Sequence, residues 1–119
     1  MKRFLIALVA AFLLPVAAAL AHAMLDHASP PVGSTVATAP RELMLWFTEK
    51  LEPAFSTIEV RNAQGVAVQS GKAQLDRSDA TQLRVALKAL PPGTYLVNWR
   101  VLSVDTHRTQ GSFTFRVGP

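Results

Sequence analysis

His22, His27 and His107 are the only histidines of this chain, and the first stands where processing could turn it into a chain terminus. Ala19-Leu20-Ala21, just before His22, has the small-x-small form of a signal-peptidase site. Cleavage there would leave His22 with a free α-amine beside its imidazole, a bidentate nitrogen donor that no internal histidine supplies. Asp105 and His107 lie two residues apart in Ser103-Val104-Asp105-Thr106-His107. If that segment is extended, both side chains leave on one side and can meet at one point. Alone, the pair reads first as a solvated loop with a turn-forming aspartate. Joined to a cleaved His22 it makes two imidazoles, one amine and one carboxylate. This N3O set suits the tetragonal geometry of one Cu(II) ion, and the Irving–Williams order favours the same ion. Zn(II) would draw the same donors toward a tetrahedron. Because the nitrogen donors must be deprotonated, affinity should fall as pH drops below the ~6.5 reference value of histidine.

The leader itself is ordered as secretory segments are. Met1-Lys2-Arg3 is positive, Phe4 to Ala18 is apolar apart from Pro15, and the small residues follow. The apolar run is shorter than the ~20 residues a spanning helix needs, and no charged flank stops it. Residues 1–21 are therefore expected to be a signal peptide and residues 22–119 a single domain. Ala21-His22-Ala23 also fits small-x-small, so a cut before Met24, which would remove the chelating terminus, stays open. Loss of Lys2 and Arg3 lowers the formal charge from +4 to +2, and the remaining cations are dispersed, against a nucleic-acid surface. With no cysteine, an exported domain has neither disulfide staples nor thiolate ligands. The expected compartment is the periplasm, and the expected state a monomer without stable membrane insertion after cleavage.

The elements that must position these groups read as strands. Leu43, Leu45 and Phe47 alternate with Met44, Trp46 and Thr48; Leu83, Val85 and Leu87 repeat the period, as do Tyr95, Val97, Trp99 and Val101, then Phe113, Phe115 and Val117. Turn signals separate them at residues 30–34, 62–65, 70–71, 76–79 and 91–93. About seven short strands predict an all-β fold, a single antiparallel Greek-key sandwich of immunoglobulin-like type, with a small Greek-key barrel as the other solution. Tyr95, just after Pro91-Pro92-Gly93, is placed like a tyrosine corner. Trp99 and Met44 are read as packing residues, and His27 as a surface residue facing away from His22.

Several unlike motifs occur in one order. They are His22, Ser29-Pro30 with Gly33-Ser34, Leu45-Trp46-Phe47-Thr48-Glu49, Pro92-Gly93-Thr94-Tyr95 with Trp99-Arg100, Ser103-x-Asp105-x-His107, and Gly111-Ser112-Phe113-Thr114-Phe115. In this combination the chain, over nearly all of residues 22–119, resembles the CopC family of periplasmic copper-resistance proteins. The resemblance implies a β-sandwich Cu(II) carrier with His22, Asp105 and His107 as ligands. It also implies copper resistance or homeostasis as the role, and an inner-membrane copper transport protein of the CopD type as partner. Glu49 resembles a family position near the copper, where it would orient an imidazole; read alone it is equally a solvated strand-end carboxylate. Two departures stand out. Only Met24 and Met44 remain after the leader, too few soft donors for a separate Cu(I) site. Arg108 follows the histidine where many members have proline.

Two other classes compete with the carrier. A secreted copper monooxygenase also clamps its metal with an N-terminal histidine, although here a carboxylate takes the position oxygen would need and the domain offers little substrate surface. A metal-free adhesion or accessory domain would leave the same polar residues without a task. The expectation is a carrier and not an enzyme.

Overall fold

The computed structural model describes residues 23–119, so His22 and the leader lie outside the described residues. Eight strands form in chain order: β1 Leu25–Ser29, β2 Thr35–Val36, β3 Glu42–Phe47, β4 Thr57–Arg61, β5 Gln69–Asp76, β6 Asp79–Leu87, β7 Gly93–Leu102 and β8 Arg108–Val117. A 3-10 turn, Pro53–Phe55, precedes β4. They build two four-stranded sheets, ordered β1-β3-β6-β5 and β2-β8-β7-β4. The chain passes repeatedly from one sheet to the other, the interlocked connectivity of a Greek-key sandwich. All pairings are antiparallel except β2 with β8, where Thr35 and Val36 run parallel to Arg116 and Val117.

The period-two residues are the core. Leu43, Leu45 and Phe47 of one sheet and Val97, Trp99, Phe113 and Phe115 of the other are all buried in one cluster. Leu83, Val85 and Val101 complete its centre. Trp99 packs as expected, meeting the Phe47 ring edge-on with centroids 5.1 Å apart. The tyrosine corner is present: the Tyr95 hydroxyl donates to the Pro91 carbonyl at 2.5 Å, and burial pushes the phenol pKa up.

One local expectation differs from the structure. Ser70-Gly71 is no turn but lies inside β5, where Gly71 (φ 87°) relieves an irregularity that shifts the register against β6 between Ser70 and Gln74. The strand was hidden because it is a mostly exposed edge with little apolar alternation. Conversely, the turn at 62–65 forms as read. The Asn62 side-chain oxygen accepts from the amides of Gln64 and Val66, and Gly65 takes φ 81°.

Candidate metal centre

β7 runs out at Leu102 and β8 begins at Arg108, and the five residues between them fold back on themselves. The Ser103 amide donates to the His107 carbonyl at 3.0 Å, and the Thr106 amide donates to the Ser103 carbonyl at 2.9 Å. Thr106 pays for this closure with a left-handed backbone, φ 71°, which a β-branched residue rarely adopts. The segment is thus the end loop expected between two strands, closed as a tight turn, so the pair does not meet by the extended geometry its spacing would allow. The outcome for the side chains is nevertheless the expected one: His107 Nδ1 lies 3.3 Å from Asp105 Oδ1.

Ser103 is the pivot, and sequence reasoning gave it no role of its own. It is fully buried. Its hydroxyl donates to Asp105 Oδ1 and accepts from the His107 amide at 3.2 Å. One buried hydroxyl therefore holds both members of the pair. That bond is the main reason why the Asp105 carboxyl sits below its ordinary value of 3.8; desolvation opposes it, and the hydrogen bond and charge of His107 lower it further. The side chains themselves face outward, each 43% exposed. An ionised carboxylate and an imidazole are thus presented at the surface by an anchor that has no access to water.

A second strip of chain braces the turn. The Val104 amide donates to the Lys50 carbonyl at 3.0 Å, Leu51 bridges to Ser103, and the Glu52 amide donates to the Leu102 carbonyl at 2.8 Å. Glu49 sits at the head of this strip, half-buried, with no side-chain hydrogen bond or ion pair among the described residues. Just before it, Thr48 grips the N-terminal segment: its hydroxyl accepts from the Met24 amide and its own amide donates to the Met24 carbonyl, both at 2.9 Å. Ala23 is fully buried, and its carbonyl accepts from the Thr109 hydroxyl at 2.7 Å. Thr109 is two residues beyond His107.

The remaining polar candidates lie elsewhere. His27 is on the surface, as expected, with its ring stacked on Trp46 at 4.3 Å and its Nδ1 held by Asp26 Oδ2 at 2.6 Å. A bulge between Leu25 and His27 interrupts the alternation of β1, and the expected orientation relative to His22 involves a residue outside the described residues. Met44 does not pack in the core. It projects from the outer face of its sheet, where its sulfur accepts from Arg84 Nη2 at 3.3 Å. Among the described residues no three metal-ligating His, Cys, Asp or Glu side chains gather at one point. Asp105 and His107 are a pair of donors, of the hard and borderline kinds that suit Cu(II) or Zn(II).

A two-sheet sandwich with a carboxylate and an imidazole displayed together on one end loop defines a class, the small immunoglobulin-like β-sandwich domains with a polar end loop. Residues 25–118 match the CopC domain family. This chain belongs to the CopC family. It is 39% identical over 98 residues to protein YobA of Escherichia coli K12, covering 82% of this chain and 79% of that one. Copper resistance protein C of Xanthomonas campestris pv. juglandis is 36% identical over 107 residues, with 85% and 84% covered. The crystal structure of CopC from Methylosinus trichosporium OB3b superposes with a TM-score of 0.77 at 34% identity, over 82% of this chain and 95% of that one.

Proposed function

We propose that this chain is a periplasmic carrier for one Cu(II) ion in copper resistance or homeostasis, with the His22 α-amine and imidazole, Asp105 and His107 as ligands. The observation that carries the reading is the seat of Ala23. Its carbonyl is bonded to Thr109, so the residue next to His22 in sequence is fixed on the strand that leaves the Asp105–His107 turn. Peptide connectivity alone tethers His22 one residue from that seat. The same seat supports residues 1–21 as the segment removed, since a cut before Met24 would discard a fully buried residue and its hydrogen bond. Membership of a family whose relatives are named for copper resistance supports the choice of metal.

The role is carriage and not catalysis. Outward-facing ligands on a loop exchange readily, which suits delivery to an inner-membrane copper transport protein of the CopD type. Glu49, at the head of the strip bracing the turn, is a candidate to accept a hydrogen bond from a ligand imidazole. The test is a Cu(II) titration of protein whose first residue, fixed by mass analysis, is His22. One ion should bind. Adding a single residue ahead of His22 should cost most of the affinity, while His27→Ala should change neither affinity nor the Cu(II) spectrum. Unaltered binding in the extended form would refute the terminal chelate.

A further inference from the structure

Thr109 occupies a position that burial alone does not explain. It opens the row of β8 residues, Thr109, Gly111, Phe113, Phe115 and Val117, that alternates toward the core. It pairs with Val101 of β7 at the mouth of the sandwich. A valine would satisfy strand geometry and core polarity equally well there. What the threonine adds is a hydroxyl, and that hydroxyl spends its proton on the carbonyl of Ala23, 86 residues away. Ala23 is sealed from water, so its carbonyl would otherwise be buried without this partner.

We infer that Thr109 is a positioning residue, a latch that holds the N-terminal ligand arm against the Ser103–His107 turn. The inference rests on the copper reading for its consequence but on the Ala23 contact for its existence. Thr48 fixes the arm at Met24, on the strip that braces the turn from one side. Thr109 fixes it one residue nearer the terminus, on β8 itself. With both in place the arm is ordered before metal arrives, and binding does not have to supply the cost of ordering it. Without Thr109 the last fixed point retreats to Met24, and the two residues ahead of it must be ordered by the metal.

The test uses protein beginning at His22 in three forms: wild type, Thr109→Val and Thr109→Ser, each also made with one glycine ahead of His22. Cu(II) affinity is measured by competition with nitrilotriacetate. Thr109→Val should lose roughly three- to tenfold, the scale of one hydrogen bond. Thr109→Ser, which keeps the hydroxyl, should stay within about twofold of wild type on the same scale. In the glycine-extended forms, where the terminal chelate is already displaced, the valine step should vanish. Hydrogen exchange of the metal-free proteins gives a second readout: the Met24 and Leu25 amides should exchange faster in Thr109→Val and at the wild-type rate in Thr109→Ser. A valine loss that persists undiminished in the extended forms would show that Thr109 acts through the fold and overturn the inference. Wild-type exchange rates in Thr109→Val would overturn it as well. If wild-type protein binds no Cu(II), the copper reading fails on its own and the exchange rates decide the latch.

Discussion

Gly111→Ala gives a direct test of the packing between β7 and β8, where Gly111 faces Trp99. An ideal Cβ on Gly111 would lie 2.5 Å from Cζ2 of Trp99, 2.8 Å from Cε2 and 3.2 Å from Nε1. Carbon pairs settle near 3.5–4.0 Å, so the indole must retreat by about 1 Å. It has nowhere easy to go. Trp99 is only 7% exposed, and the Phe47 ring stands against it at 72°. Overpacking of this kind costs about 1–3 kcal/mol. Against it stands the loss of glycine's freedom in the unfolded chain, which favours alanine by about 0.4–1 kcal/mol. The net expectation is about 1–2 kcal/mol of destabilisation. At about 4–8 °C per kcal/mol for a domain near 100 residues, the midpoint should fall by roughly 5–15 °C. Thermal unfolding followed by circular dichroism measures it, with the near-ultraviolet tryptophan signal as a check on the ring. Trp99→Phe supplies the control: the smaller ring should relieve the clash, so the alanine should cost much less in that background. An unchanged or raised midpoint in Gly111→Ala, or equal costs in both backgrounds, would refute the reasoning.

Two further outcomes follow from the hydroxyl contacts. Ser103→Ala should lower Cu(II) affinity by roughly tenfold, the scale of a hydrogen bond to a charged group, and shift the Cu(II) electron paramagnetic resonance spectrum, because Asp105 and His107 lose their common anchor. An identical affinity and spectrum would remove Ser103 from the site. In acid, Asp76, held low chiefly by the Ser78 hydroxyl, and Asp79, held low chiefly by the Thr81 hydroxyl, make the metal-free protein pH-sensitive. Their carboxyls have lower pKa values folded than unfolded, so between those values the unfolded chain binds more protons. The stabilisation is whole above about pH 4–5 and is lost as pH falls through the folded values. The unfolding midpoint should be flat from neutrality to about pH 5 and decline below about pH 4, less steeply in Asp76→Asn and Asp79→Asn. Equal declines in all three proteins would show that other groups control the acid limb.

How much of this was legible in the sequence depended on which physical signal each element carried. Strands β3, β6, β7 and β8 were visible because one face of each is buried and alternation is the direct record of that burial. β2, two residues long, carries no period, and β5 is an edge whose glycine resembles a turn. At the site, Asp105 and His107 were recognisable as a pair by their donor chemistry. Their actual geometry was not, because a threonine in the left-handed region gives no local signature and Ser103 reads as an ordinary loop residue. Thr109 was invisible for a different reason: its function is set by a partner 86 positions away, which only the closed sandwich brings near.

The division between buried and exposed parts explains how one loop can be both accurate and labile. A site meant to keep its metal gains from enclosure, which slows ligand exchange. Here the anchoring part is inside and the proposed ligands are outside. Ser103 and Ala23 are sealed, and each fixes one arm through a hydroxyl hydrogen bond. Asp105 and His107 project into solvent, nearly half exposed. A copper ion held there would meet preorganised donors without a deep desolvation cost to enter or leave, and a partner's ligands could replace them one at a time. The weakest point of the proposed site is its N-terminal arm. Asp105 and His107 share one anchor, whereas the N-terminal arm hangs from two threonines, Thr48 and Thr109, and carries the proposed chelate only if the leader is cut before His22. Moving that cut from Ala21 to Ala23 would remove the chelate and the Ala23 seat in a single step, leaving the sandwich and its turn as a frame with half its donors.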